Sequence, residues 1–411
     1  MIQKIKGTMD ILPDETPLFR YIEGIMREEA EKYGFGEIRL PTFELTELFV
    51  RGVGDTTDVV QKEMYTFLDG EDSISLRPEG TAGVVRAFIE NGKYGDTLPQ
   101  KYYYIMSCFR HEKPQAGRTR EFFQFGTEVF GSESPATDAS VIALGAAVLR
   151  RLGLSNVKLH INSIGCKACR PAYKSALTDH FAMHKGELCE TCLSRLDKNP
   201  LRLLDCKSPI CSSFAKDAPR TVEHLCPDCE AHFQTLCTLL DAMGIEYVVD
   251  SSIVRGLDYY TRTVFEFIAE GIAAQSTVCG GGRYDGLVES LGGPALSGIG
   301  FGMGITRVIL ALKQAGIQPV SPVCPKLYIA SLGERATVKA LEITERLRRE
   351  GHFVECDLLG KSLKAQMKYA NKLGADYTLI LGDSEIDAGV AQLRDMKSSE
   401  QHEVILESFT L

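Results

Sequence analysis

Residues 101–131 read KYYYIMSCFRHEKPQAGRTREFFQFGTEVFG, two strand-like runs joined by a loop of Lys, Pro, Gln, Gly and Arg. Alternate side chains of a strand point to opposite faces. In the second run, Gln124, Gly126 and Glu128 therefore share one face, and Phe123, Phe125 and Val129 share the other. The first face is polar and the second apolar. With Arg110 at the end of the first run projecting to the polar face, a cation, an amide and a carboxylate converge on a surface stripped of bulk at Gly126. That set suits a charged ligand carrying a phosphate and an amine. A solvated sheet face with an Arg–Glu pair is the plain alternative, and the flanking Tyr and Phe residues argue instead that the face is covered.

A second stretch, SGIGFGMGITRVIL at 297–310, places Gly298, Gly300, Gly302 and Gly304 at every second position before Arg307 opens a helical run. Such a strand has one bare face, on which a flat ring such as adenine can lie, or against which a helix can pack tightly. The spacing lacks the lysine of a phosphate-cradling GxxxxGK loop and the two-residue gap of a dinucleotide GxGxxG, so kinase-like and dehydrogenase-like readings lose support. SLRPEGTAGVVRAF at 75–88 reads as a short strand entering a helix at Pro78, with Glu79, Gly80 and Thr81 at its mouth. Glu79 could receive an ammonium group or simply cap the helix. IVRGLDYYTRTVFEF at 253–267 and CGGGRYDGL at 279–287 add Tyr259, Tyr260 and Tyr284 as aromatic walls with hydroxyl donors.

Around these runs the chain has 411 residues, enough for more than one domain. Hydrophobic residues make up 44% and charged residues 25%, and no apolar run reaches the roughly 20 residues of a membrane-spanning helix. The N-terminus carries no secretory pattern, so a cytoplasmic location is expected. Lys plus Arg number 46 against 55 Asp plus Glu, a net charge of -9, which excludes coating of nucleic acid through bulk charge. Residues 17–33 and 137–153 carry amphipathic helical patterns within an α+β texture. QAGIQPVSPVCPK at 314–326 holds three prolines and marks a boundary between a domain at 1–321 and one at 322–411.

Beyond that boundary LYIASL, ALEITERLRREG, FVECDLL, KSLKAQMKYANKLG and YTLIL alternate strand and helix, the pattern of a parallel α/β unit. Lys361, Lys364, Lys368 and Lys372 follow 3, 4, 4 spacing and are expected on one helical face, as a nucleic-acid contact or an ordinary solvated surface. From about 166 to 230 the texture is polar and rich in cysteine, and reads as a helical insertion within the first domain. Cys166/Cys169, Cys189/Cys192, Cys206/Cys211 and Cys226/Cys229 form pairs, three of them CxxC. Eight such thiolates could hold two structural Zn2+ ions, or stand unligated. Cys108, Cys237, Cys279, Cys324 and Cys356 have no pair and are expected as buried apolar fillers.

Taken together, these motifs resemble the bacterial histidyl-tRNA synthetases, members of class II of the aminoacyl-tRNA synthetases, almost end to end. LPTFE at 40–44 resembles motif 1 of that class, FRHE with GTEVFG resembles motif 2, and GFGMGITR resembles motif 3. RGLDYY and GGRYDG resemble the two histidine-specific signatures. The resemblance implies a catalytic domain on a class II antiparallel sheet and a Rossmann-like anticodon-binding domain. It also implies histidine, ATP with Mg2+, and tRNA(His) as ligands, in a homodimer with motif 1 at its interface. On this pattern Arg110 holds the ATP α-phosphate, Arg307 the γ-phosphate, and Arg255 stands at the α-phosphate in place of a metal. Glu79, Gly80, Thr81, Gln124 and Glu128 line the histidine pocket, and Tyr259, Tyr260 and Tyr284 close on it. One departure is that the chain stops at Leu411 after a strand, where family members continue into a helix. A rival resemblance is to the regulatory subunit of ATP phosphoribosyltransferase, which binds histidine without aminoacylation and lacks the C-terminal unit. A zinc-dependent nucleic-acid binder without activity would explain the cysteines but not the pocket.

Overall fold

The computed structural model describes the chain except residues 56, 116, 199, 205, 207, 254, 255, 270–276, 321 and 322 and the side chains of 197, 198 and 202. It divides into two compact units, Met1–Val320 and Ser321–Leu411.

The first unit is built on an eight-stranded sheet. In spatial order its strands are Gly36–Glu37, Gln100–Phe109, Glu121–Phe130, Gly298–Gly304, Thr277–Arg283, Thr261–Ala269, Val157–Ser163 and Tyr247–Val249. The six central strands pair antiparallel, and only the two short edges pair parallel. The alternation read in 121–130 is realised. Phe125 and Val129 enter the main core, with Phe123 packed against it, together with Ile299, Phe301 and Met303 from the glycine-rich strand. Helices Thr16–Lys32, Pro135–Arg151, Pro227–Ala242 and Ile305–Gln314 contribute Ile22, Ile25, Ile142, Leu144, Leu236, Leu240 and Val308 to the same core. Covering one apolar sheet face with helices leaves the opposite face to carry polar groups, as expected for a two-layer α+β unit.

One buried ionic group braces this layer. Asp138, within Pro135–Arg151, accepts hydrogen bonds from Arg283 (2.7 and 2.8 Å), His232 (2.8 Å) and Thr263 (2.6 Å). Arg283 also donates to the carbonyls of Ser132 and Ser134, so both buried charges are satisfied. A three-stranded sheet of Phe43–Leu45, Asp72–Leu76 and Thr66–Asp69 stands apart and leaves Phe43, Leu45, Phe67 and Leu68 exposed.

The stretch after Ser163 forms helices Arg170–Ala182, Glu190–Lys198 and Pro209–Lys216 with a small core of its own, including Tyr173, Leu177, Phe181, Leu188 and Leu203. The second unit is a five-stranded sheet, Val354–Cys356, Leu327–Ser331, Tyr377–Leu381, Val390–Asp395 and Gln401–Ile405 in spatial order, parallel through the first three.

Two expectations need correction. Lys361 lies outside the lysine-bearing helix, which runs Leu363–Leu373. Its N–H donates to Asp357 and its carbonyl accepts from Gln366, which pins the turn ahead of the helix. Lys364, Lys368 and Lys372 alone share the helix, all exposed. Cys324 is exposed and Cys237 only half-buried, while Cys108, Cys279 and Cys356 are buried as expected. Cys324 belongs to the proline-rich approach to the second unit, ahead of its first strand.

Candidate active site

The polar face of the large sheet is organised around Glu128. Strand register sets Glu128 beside Gly300, Gly126 beside Gly302 and Gln124 beside Gly304, while the neighbouring strand sets Tyr104 beside Gly126. A Cβ at Gly126 would stand 2.1 Å from Tyr104 Cζ, and one at Gly300 would stand 2.0 Å from Glu128 Oε2. No side chain fits in either space. The bare glycine stripe is thus occupied by the protein's own groups, with Tyr284 over Gly298, Glu128 over Gly300 and Gln124 over Gly302. Only Gly302 and Gly304, at the end nearest Arg307, are partly open.

Glu128 is buried, and three hydroxyls converge on it. Thr81 Oγ1 donates at 2.7 Å and Tyr104 at 3.3 Å to Oε1, and the Tyr284 hydroxyl donates to Oε2. Burial pushes its carboxyl up to about 8, with the nearby Glu79 charge adding to the rise and the hydroxyl donors opposing it. Burial also holds the phenols of Tyr104, Tyr259 and Tyr284 well above their ordinary range, with Glu128 among the charges raising each, so they remain neutral donors. The Tyr259 ring lies 5.7 Å from that of Tyr284 and 4.6 Å from that of Tyr260.

Glu79 behaves as a helix cap. Its two oxygens accept from the backbone N–H groups of Thr81 (2.7 Å) and Ala82 (2.9 Å) at the start of Thr81–Glu90. Burial still raises its carboxyl above the usual range, and Arg110 offsets part of that. Gly80 must be bare, since a Cβ there would meet Tyr104 Cζ at 2.4 Å. Arg110 donates to the Pro78 carbonyl at 2.9 Å and lies over the Phe122 ring, on the same face of the strand as Gln124. Gln124 accepts weakly from the Cys108 thiol.

Arg307 donates to the carbonyls of Gly117 and Thr277. Its pKa is lowered, first by burial and then by the positive fields of Arg118 and Arg110. Arg118 and Arg110 thus both lie in the field of Arg307, with Glu112 and Glu266 offsetting part of the repulsion. Arg255 lies outside the described residues.

Glu79, Gly80, Thr81, Glu128, Tyr259, Tyr260 and Tyr284 are therefore gathered in one linked cluster, with Arg110 beside Pro78 and Arg307 in the field of Arg110. Two members escape reading from the sequence. Tyr104 is one of three consecutive tyrosines and is singled out only by its register opposite Gly126. Arg118, paired with Glu112 at 3.0 Å, is one of several basic residues in the strand connection. The predicted lysines lie in the second unit, and the cysteines gather in two groups of four.

The family model described as histidyl-tRNA synthetase matches residues 7–308, and that of an anticodon binding domain matches residues 326–410. The chain belongs to the histidyl-tRNA synthetase family. It is 51% identical over 408 residues to the histidine–tRNA ligase of Caldicellulosiruptor bescii, covering 99% of this chain and 97% of that relative. It is 52% identical over 407 residues to the histidine–tRNA ligase of Caldicellulosiruptor saccharolyticus, again covering 99% and 97%. Among solved structures, apo histidyl-tRNA synthetase of S. aureus matches with a TM-score of 0.84 at 38% identity, over 99% of this chain and 98% of that one. The antiparallel sheet and its glycine-rich strand are thus the class II synthetase fold, carried with an α/β anticodon-binding domain. No helix among the described residues is long and apolar enough to cross a membrane.

Proposed function

We propose that this chain is a histidine–tRNA ligase, working in two steps at the Glu128 face of the first unit. The observation that carries the reading is that one chain matches both the synthetase model and the anticodon-binding model. The resemblance to a histidine-binding regulatory subunit implies no counterpart of the second. The catalytic domain is assigned to 1–321, with its insertion at 166–230, and the anticodon-binding domain to 322–411.

Histidine enters among Glu79, Gly80, Thr81, Gln124, Glu128, Tyr259, Tyr260 and Tyr284. Its ammonium group supplies the charge that lets Glu128 ionise in a buried setting, and the tyrosines enclose its ring. ATP enters as its Mg2+ complex. The histidine carboxylate attacks the α-phosphorus and pyrophosphate leaves, giving histidyl-adenylate. Arg110 and Arg255 stabilise the charge that develops at the α-phosphorus, and Arg307 holds the γ-phosphate. A ribose hydroxyl at the 3′ end of tRNA(His) then attacks the adenylate carbonyl, and AMP leaves. No nucleophilic side chain is required. The cysteine clusters take no part in these steps, although their thiolates suit structural Zn2+.

Lys361, Lys364, Lys368 and Lys372 supply phosphate contacts to tRNA, which need only local positive charge. The exposed Phe43, Leu45, Phe67 and Leu68 beside motif 1 are the apolar surface that a homodimer would cover. The reaction belongs in the cytoplasm.

Histidine-dependent exchange of labelled pyrophosphate into ATP tests this reading. Exchange is expected with histidine alone among amino acids, and Arg255→Ala is expected to abolish it in a folded protein. Well-folded protein without exchange would favour the regulatory-subunit reading, and near-normal Arg255→Ala activity would remove that residue from the mechanism.

A further inference from the structure

All thirteen cysteines are free thiols, yet eight of them gather in two groups whose four sulfurs lie within 4.8 Å of one another. One group is Cys166, Cys169, Cys226 and Cys229, and the other is Cys189, Cys192, Cys206 and Cys211. Four thiolates placed about 2.3 Å from a tetrahedral Zn2+ stand about 3.8 Å apart. The sulfur separations are 3.7 Å for Cys166–Cys169, 3.8 Å for Cys166–Cys226 and 3.9 Å for Cys189–Cys206. A disulfide would need about 2.05 Å. An iron–sulfur cubane would spread its cysteines over four separate irons, farther apart than one ion requires. Backbone N–H groups also point at the sulfurs. Ala168 donates to Cys166, Cys226 to Cys169 and Cys189 to Cys211, at 3.1–3.3 Å. Amides so aimed stabilise thiolate ligands around a metal.

The two groups occupy different places. Cys189, Cys192, Cys206 and Cys211 sit within the small core of the insertion, beside Leu188, Leu196 and Leu203. Cys166, Cys169, Cys226 and Cys229 stand at its neck. The first two follow strand Val157–Ser163, and the second two begin helix Pro227–Ala242, whose Phe233, Leu236 and Leu240 enter the main core. The neck is also tied to the tyrosine wall of the active site. Arg170, next in chain to Cys169, donates to the Tyr260 carbonyl. Ile164 N–H donates to the Arg262 carbonyl at 2.8 Å, and Arg262 N–H donates to the Gly165 carbonyl at 2.9 Å.

We propose that the chain binds two structural Zn2+ ions, one in each four-cysteine group, and that the neck ion alone also positions the histidine pocket, through Arg170 and the Tyr260 backbone. The coupling rests on the histidine reading of the Tyr259–Tyr260 wall, whereas the metal sites stand without it. Both are closed four-thiolate sites, suited to holding structure rather than to catalysis. Arg170 is a positioning residue.

The metal claim is tested on the full chain, expressed with added zinc and purified without chelator, by elemental analysis. Two zinc ions per chain are expected; one, none, or iron in their place would overturn it. Replacement by Co2+ should give the intense thiolate-to-cobalt absorption of a tetrahedral four-sulfur site, and its absence would also count against the sites. Cys226→Ser with Cys229→Ser should lose one ion and raise the histidine KM about tenfold, as loss of a buried charge-assisted hydrogen bond would, with the ATP KM unchanged. Cys189→Ser with Cys192→Ser should also lose one ion but leave the histidine KM unchanged and open residues 170–220 to trypsin. Equal kinetic effects in the two variants would overturn the coupling. Should the neck variant fail to fold, Arg170→Met reads the same link. It should keep both ions and raise the histidine KM alone, with partial rescue by Arg170→Lys, and an unchanged KM would refute the link. Metal content is read independently of activity, so failure of the zinc claim and failure of the ligase reading are told apart.

Discussion

Histidine binding should release a proton from Glu128. Burial raises this carboxyl to about 8, so at pH 7 only about 10% of the free protein carries it ionised. A ligand whose ammonium requires the ionised form sees its apparent Kd weakened by the reciprocal of that fraction, about tenfold relative to the fully ionised carboxylate. Each histidine bound at pH 7 should then displace about 0.9 proton. Titration calorimetry in two buffers of different ionisation enthalpy counts that proton directly. The affinity should rise by up to about tenfold per pH unit below 8, level off there, and fall again once the ligand's own ammonium loses its proton. Glu128→Gln leaves Thr81 and Tyr104 an oxygen to donate to but cannot ionise. It should abolish both the proton release and the pH slope, and weaken binding by roughly tenfold to a hundredfold. Near-zero proton release at pH 7, with a flat Kd between pH 6.5 and 8.5, would refute the placement of the ammonium at Glu128.

The same carboxyls set a stability trend. Folding raises the pKa values of Glu128 and Glu79, so the folded chain holds more protons than the unfolded one above about pH 4.5. Stability should fall as pH rises from about 4.5 towards 8, and urea melts of Glu128→Gln should show a smaller fall. Gly126→Ala drives a Cβ to 2.1 Å from Tyr104 Cζ in a buried ring. It should cost about 1–3 kcal/mol in the melt and abolish pyrophosphate exchange. Gly302→Ala first meets the Gln124 side chain, its amide nitrogen at 2.3 Å. It should therefore fold with less than about 1 kcal/mol lost, yet bind its substrates more weakly in the exchange assay. Asp138→Ala strands the buried Arg283 and should cost about 3–5 kcal/mol in the same melt. Lys364→Glu with Lys368→Glu should weaken tRNA binding and flatten its dependence on salt, as measured by filter binding, without altering pyrophosphate exchange.

Much of the site follows from period-two geometry. The spacing of Gln124, Gly126 and Glu128 places all three on one face, and the alternating glycines predict a bare strand that register sets against them. Propensity and spacing do not say what fills a bare face. That the glycine stripe houses Glu128 and Gln124 depends on strands separated by more than 170 residues in sequence, and Tyr284 reaches Gly298 from just past the neighbouring strand. Tyr104 is hidden for the same reason, because three tyrosines in a row give no sign of which faces Gly126. Glu79 caps the helix because the first amides of Thr81–Glu90 point straight at it, a geometry that spacing alone does not reveal. The Asp138–Arg283–His232 group could not have been paired from the sequence, its members being spread across three elements. Lys361 shows the limit of helical spacing, which cannot see the Asp357 bond that delays the helix.

In the mechanism proposed, the Glu128 face binds one particular amino acid and joins it to AMP. Mass spectrometry of the adenylate formed when the protein is given MgATP, pyrophosphatase and a mixture of all the protein amino acids reads that selectivity. Histidyl-adenylate alone is predicted, and it should be lost in Glu128→Gln at limiting histidine. An adenylate of another amino acid, or none from folded protein, would show that this face does not activate histidine.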